Sequence, residues 1–300
     1  MAEDRDGTLN GLFNRRSSKY WIPAALLAVS TAAILIKLSE SHPLSIAVWR
    51  LLIADVLLLP FFIWTFSRDR RMLPRRRLFH LGLVGFALAA HFAMWIWSFQ
   101  FTKVSSSVVL VTTHPLFVAS ISVWLFRERL GKKAVLGMVL ALLGSFLLIG
   151  GDLSISKETV VGNLLALGGA VMVGIYFLAG SRFRKEMSLP TYAFIVYIWA
   201  ALFLLVAIAF LRVDMVSSDP REYVIFIALA VGPMLMGHTI LNWALKYVSP
   251  TFVSVSLLAE PVGSTLLAMM VLLEFPGAGA IIGGPIVLLG IYIVARNTKG

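Results

Sequence analysis

Shifted by 146 residues, the chain falls on itself: Trp97 meets Trp243, Pro115 meets Pro261, Glu128 meets Glu274 and Gly131 meets Gly277. Val109, Ala134, Gly137, Leu142, Leu143 and Gly144 also meet identical residues, at Val255, Ala280, Gly283, Leu288, Leu289 and Gly290. In a chain that is 59% hydrophobic the Leu, Val and Ala matches carry little weight. The Trp, Pro, Glu and Gly matches carry more, because Pro and Gly disturb helices and the Glu places a charge at the end of an apolar run. The apolar runs lie at 20–39, 43–66, 78–101, 104–126, 133–150, 160–180, 190–211, 223–245, 250–273 and 278–295. Each is near the roughly 20 residues that a helix needs to cross a bilayer. Five fall in each half, and an odd number per repeat turns the second copy upside down in the membrane. The expected fold is an all-α integral membrane protein, ten transmembrane helices in an inverted 5+5 repeat around a central cavity. It divides into a cytoplasmic tail (1–19), a first five-helix repeat (20–150), an extracytoplasmic linker (151–159), a second repeat (160–296) and a short cytoplasmic tail (297–300).

Connections this short leave no room for a soluble domain, and only helices or closed barrels satisfy their backbone in lipid. The runs are too long and too uniformly apolar for barrel strands. A net charge of +11 suggests nucleic acid until the charges are located. Twenty of the 26 Lys and Arg fall on one side, in the N-terminal tail, in 68–77, 127–133 and 182–185, and at Lys246, Arg296 and Lys299. This positive-inside bias puts both termini in the cytoplasm, predicts a multi-pass inner-membrane protein, and argues against nucleic acid as a partner. The first run is too long for a signal-peptide core and is expected to be retained. Without cysteine there is no disulfide, thiolate metal site or thiol nucleophile.

Three stretches carry a resemblance. They are His114-Pro115 followed by Glu128 and Gly131, Glu260-Pro261 followed by Glu274 and Gly277, and the run Asn242 to Pro250 joining spans 8 and 9. With the inverted repeat, these resemble the drug/metabolite transporter superfamily, of the EamA type, over nearly the whole chain after residue 20. Within it the chain is most similar to the YddG-type exporters of aromatic and other neutral amino acids. His114 departs from the pattern, since many relatives carry a neutral residue before this proline. The resemblance implies a cavity enclosed by spans 1–4 and 6–9, with spans 5 and 10 at the periphery and, in some relatives, in a dimer contact. A monomer or homodimer follows.

Charged and polar groups at bilayer depth are costly, so they nominate a site. Glu260 lies near the middle of span 9, and His114 occupies the equivalent place in span 4. The proline after each removes a backbone hydrogen bond, so Pro115 and Pro261 mark helix breaks whose freed carbonyls could bind substrate or ion. The alternative is a structural bend, with Glu260 paired to another residue. In span 3, His80, His91, Ser98 and Thr102 share one face with Trp95 close beside it, and Ser249, Ser256, Glu260 and Ser264 form a similar stripe in span 9. Met234, His238 and Asn242 share a face of span 8, and Tyr176 is the aromatic candidate of span 6. Such stripes face either a cavity or another helix, never lipid. Arg50 could clamp a substrate carboxylate or form a structural ion pair; Asp55 is turned about 140° away from it.

The expected substrate-binding set is Glu260, His91, Trp95, His114, Ser256, Tyr176, His238 and Asn242, with proton coupling possible at Glu260, His91 and His114. No H-E-x-x-H or P-loop pattern is present, so no enzyme, metal or cofactor is expected. The reading is an exporter of small metabolites, foremost aromatic and neutral amino acids. Another amphipathic metabolite or drug is the nearest alternative; a channel or an intramembrane enzyme is the alternative from a different class.

Overall fold

The computed structural model describes residues 15–125, 127–148, 157–271, 273 and 278–297. Glu274, Gly277, Gly150 and most of the linker expected at 151–159 lie outside them. Helices fill the described residues and no strand occurs among them. The first span is two helices, α1 (Arg15–Ser30) and α2 (Ala32–Leu38), separated at Thr31. Then come α3 (Pro43–Asp69), α4 (Arg75–Ser98), α5 (Val104–Val111), α6 (His114–Leu125) and α7 (Lys132–Leu148). The second half holds α8 (Lys157–Phe183), α9 (Leu189–Leu211), α10 (Pro220–Leu229), a wide π-type turn at Ala230–Thr239 and α11 (Ile240–Ala244). It ends with α12 (Pro250–Ser256), a tight turn at Leu257–Ala259, α13 (Glu260–Val271) and α14 (Ala278–Asn297).

Eight segments are long and apolar enough to cross a membrane: 21–38, 43–72, 75–98, 106–125, 157–183, 189–211, 220–244 and 250–271. The fifth and tenth expected spans are shorter here. α7 has 17 residues, at the short end of what crosses a bilayer, and the apolar part of α14 is Ile281–Asn297. Large apolar side chains such as Trp64, Trp124 and Phe210 are more than 70% exposed, the inverse of a soluble protein and the surface that lipid tails cover.

Local chemistry sets the helix starts. His42, Ser188, Asp219 and Ser249 each accept a hydrogen bond from a backbone N–H of the helix they begin. Each is followed within two residues by a proline, whose missing N–H costs nothing in the first turn. Packing then depends on small residues. A Cβ on Gly85 of α4 would stand 2.9 Å from the carbonyl oxygen of Val196 on α9. The repeated glycines have the same use within one chain: Gly137 and Gly144 of α7 lie against Gly283 and Gly290 of α14, backbone on backbone. A second apolar cluster grows around this seam, where Val255 and Leu258 pack with Met138, Leu142 and Val287.

The polar stripe expected on span 3 divides in the structure. His80 is exposed. Ser98 donates to Trp95 O at 2.6 Å and lies 2.5 Å from the Ser107 hydroxyl, and Thr102 donates to Asn163 at 3.0 Å. Most of that stripe therefore joins helices, and His91 with Trp95 alone reach the interior cavity.

Both ends of the bundle are latched. At one end Glu222 accepts from the Ser39 hydroxyl, Glu40 N (2.8 Å) and the Ser41 hydroxyl (2.7 Å), while Trp49 donates to Met215 O at 2.9 Å. At the other, Asp69 accepts from Ser188 N at 2.9 Å and Thr251 donates to Glu128 at 2.7 Å. Arg184 donates to Met187 O and to Asn242 O, and burial lowers its pKa to about 10, which leaves it charged at neutral pH. Removing the Glu222 carboxylate takes away three hydrogen bonds to a charged acceptor and loosens this end of the bundle. In Glu222→Ala, an Ala32→Cys reporter is expected to react about tenfold faster with a small thiol reagent. The chain has no native cysteine to interfere with that reading.

Candidate functional site

A cavity of about 30 Å³ lies at the centre of the bundle, room for roughly two waters. Its walls are built where regular helix fails. Val29 and Ala32 flank the Thr31 interruption; Val111, Thr112 and His114 form the α5–α6 break; Leu257 and Glu260 form the α12–α13 break; Pro233 and His238 belong to the π-type turn. His91 and Trp95 of α4, with Val173 and Phe177 of α8, close the remaining sides.

The two breaks have one cause. A proline has no N–H, and its ring crowds the carbonyl four residues earlier. For Pro115 that carbonyl is Val111, and for Pro261 it is Leu257; both residues line the cavity. The disturbance therefore spreads upstream of each proline, over Thr112–Thr113 and over Leu257–Ala259. In the first break the imidazole of His114 replaces the lost donor, its Nδ1 lying 3.0 Å from Val111 O. The Thr112 and Thr113 hydroxyls turn back to Val109 O (2.9 Å) and Leu110 O (2.7 Å). In the second break Ser256 donates to Phe252 O at 2.8 Å, and Ser264 donates to Ser30 O at 3.0 Å, which ties α13 to the end of α1. Ser30 itself donates to Leu26 O at 2.8 Å and reaches Glu260 O at 3.4 Å.

Glu260 is 7% exposed, and among the described residues its carboxylate has no hydrogen-bond or ion-pair partner. His91 is held by a 2.9 Å contact from Nδ1 to Gly169 O and stacks on Trp95, with ring centroids 5.7 Å apart. His238 lies 6.2 Å from His91, centroid to centroid. Trp95 Nε1, His114 Nε2 and His238 Nδ1 are buried without a partner. The arrangement offers polar groups to a guest in an otherwise apolar chamber.

Five of the residues expected to meet substrate thus line the cavity: His91, Trp95, His114, His238 and Glu260. Tyr176, Asn242 and Ser256 are not part of the lining: the Tyr176 hydroxyl, the Asn242 amide nitrogen and the Ser256 hydroxyl are engaged, while Asn242 Oδ1 is buried without a partner. Asn242 donates both to the Tyr176 hydroxyl and to His238 O (2.7 Å), so the pair forms a strut that holds the His238 turn. Val111, Leu257, Thr112, Phe177 and Pro233 join the wall without having been expected. The rule that proline frees the carbonyl four residues back points to the first two, and Gly232-Pro233 was the signal for the break in span 8.

Arg50 forms no ion pair among the described residues. It is fully buried beside the site, its guanidinium 4.1 Å from the Phe92 centroid and 3.8 Å from the Met234 sulfur, with Nε and Nη1 unpartnered. Asp55 is also buried with both oxygens unpartnered. A buried cation without an ion pair costs several kcal/mol, more than the ~0.5–2 kcal/mol of its contact with Phe92 together with the through-space attraction of Glu260. Arg50→Met, which keeps length and apolar contact, is expected to raise the melting temperature in detergent by several degrees.

Two segments, residues 20–150 and 160–296, match the sequence profile of the EamA-like transporter family, and the chain belongs to that family. It is 28% identical over 260 residues to an uncharacterized transporter of Bacillus subtilis (strain 168), YdfC, covering 83% of this chain and 80% of that one. An uncharacterized transporter of Archaeoglobus fulgidus is 25% identical over 288 residues, covering 94% and 98%. One crystal structure, 20% identical, superposes with a TM-score of 0.79 over 95% of this chain and 98% of its own, a likeness of fold. Family and apolar helices together define a multi-pass membrane transporter.

Proposed function

We propose that this chain exports small metabolites that carry an ammonium group, foremost aromatic and other neutral amino acids, by alternating access at the central cavity. In this reading the ten helices form an inverted 5+5 repeat in the inner membrane with both termini in the cytoplasm, as the charge bias and the two matched segments support. The protein works as a monomer or homodimer and needs no cofactor. The observation that carries the reading is Glu260: a buried carboxylate that, among the described residues, has no hydrogen-bond or ion-pair partner, at a break lining the cavity. An anion in that position is stabilised by a guest cation. The guest's side chain packs on Trp95 and Phe177. Because the cavity is small with both ends latched, cargo enters only when one latch opens and the walls retreat. Rocking of the half-bundles then exposes the site to each side in turn. Proton coupling through Glu260, His91 or His114 is part of the proposal.

Counterflow in proteoliposomes with labelled neutral, aromatic and charged metabolites tests this directly, run with and without a proton gradient. Saturable exchange of phenylalanine or tryptophan is expected. Flux indifferent to the gradient would assign facilitated diffusion, and absence of exchange for every solute in well-folded protein would overturn the carrier reading.

A further inference from the structure

The cavity's hydrogen-bonding polarity defines what it receives more narrowly than its shape does. A backbone carbonyl can only accept, so the ring nitrogen facing it must carry a proton. His91 Nδ1 faces Gly169 O at 2.9 Å and His114 Nδ1 faces Val111 O at 3.0 Å. Both tautomers are thereby fixed, and in each neutral ring Nε2 is left as a bare acceptor. His114 Nε2 is buried with no partner, and among the described residues His91 makes its hydrogen bond through Nδ1. The Glu260 carboxylate adds two more acceptor atoms on the same wall. The Thr112 hydroxyl is spent on Val109 O and donates nothing to the cavity. Apart from His238, whose tautomer no neighbour fixes, the free side-chain donor is the Trp95 indole N–H. Among the described residues no Lys or Arg lines the cavity; Arg50 faces the Phe92 ring and the Met234 sulfur and acts on Glu260, His91 and His238 only through space.

We infer that this is an acceptor cage for an ammonium head group, and that the carboxylate of an amino acid is dispensable to it, so primary amines are cargo in their own right. The inference rests on the transport reading for the site but sharpens its substrate class from zwitterions to amines. An ammonium brings three donors, and the lining sets acceptors before it at Glu260, His91 and His114. A carboxylate brings only acceptors and would meet acceptors.

The test separates binding from flux. Thermal unfolding of the purified full chain in detergent is followed with phenethylamine, phenylalanine, 3-phenylpropionate and 2-phenylethanol, which share one ring and differ in head group. Phenethylamine is expected to stabilise at a concentration no higher than phenylalanine requires, and at least about tenfold lower than the acid or the alcohol, the weight of a charge-assisted hydrogen bond. His114→Asn keeps a side-chain N–H for Val111 O but removes the Nε2 acceptor; it is expected to weaken phenethylamine about tenfold with the unliganded melting temperature unchanged. If phenylalanine stabilises and phenethylamine does not, the carboxylate is required and the cage is wrong. Equal effects of acid and amine, or no effect of any of the four, also overturn it. Amine binding that depends on Glu260 and His114 without any counterflow would leave the cage standing and remove the carrier reading instead.

Discussion

Glu260→Gln loses exchange of ammonium-bearing substrates by about 30-fold or more while the protein inserts and melts like the parent. The factor follows from removing one member of a desolvated charge pair, which costs at least ~2 kcal/mol. The second half of the expectation is what distinguishes binding from scaffolding. Glutamine has nearly the same volume, and no protein hydrogen bond or ion pair of the carboxylate exists among the described residues to be broken. The charge that acts on it, Arg50, does so through space without an ion pair, so neutral glutamine is tolerated by the fold. Counterflow normalised to the amount of protein in the liposomes, with melting recorded on the same preparation, checks both halves. Reduced insertion and melting in step with flux would make Glu260 a structural residue.

Gly137→Leu is expected to damage folding severely at the periphery of the bundle. A Cβ there would lie 2.7 Å from Gly290 O and 2.9 Å from Ile293 Cβ, and a backbone carbonyl cannot swing aside. Separating α7 from α14 forfeits the close packing on which helices in lipid depend, at a cost of about 3 kcal/mol on the scale of overpacked cores. A built-in control exists six residues earlier: a Cβ on Gly131 would meet nothing within 4 Å, so Gly131→Ala is expected to stay within about 0.5 kcal/mol of the parent. Melting curves of the two variants in one detergent decide the matter. Equal stability would mean that the seam tolerates separation.

These expectations show which parts of the molecule one dimension carries. The apolar runs announce helices because only intrasegment hydrogen bonding survives in lipid. The prolines flag the two breaks, but the damage falls upstream, so Val111 and Leu257 line the cavity while Pro115 and Pro261 cause it. A helical wheel gave His91 and Ser98 one direction, yet it could not say what waits there. A carbonyl and the cavity meet His91, and the Ser107 hydroxyl meets Ser98. Polarity or aromaticity inside an apolar span, the mark of Tyr176 and Asn242, signals a strut as readily as a binding wall. Arg50 remained ambiguous in sequence because its neighbours, Phe92 and Met234, come from distant parts of the chain. The small-residue pattern of spans 5 and 10 was legible as close packing, but its partner, the other half of the same chain, had to be seen.

The seam between α7 and α14 has a mechanical consequence. Where side chains interdigitate, one helix can slip past another by trading rotamers; where bare backbones touch, there is nothing to trade. The two helices therefore travel as one plank, and the plank is fastened through Val255 and Leu258 to the turn that carries Glu260. If the carrier rocks as proposed, such a plank would be its fulcrum: the latched ends would swing through the large arcs, and the carboxylate, on the short arm, would move least.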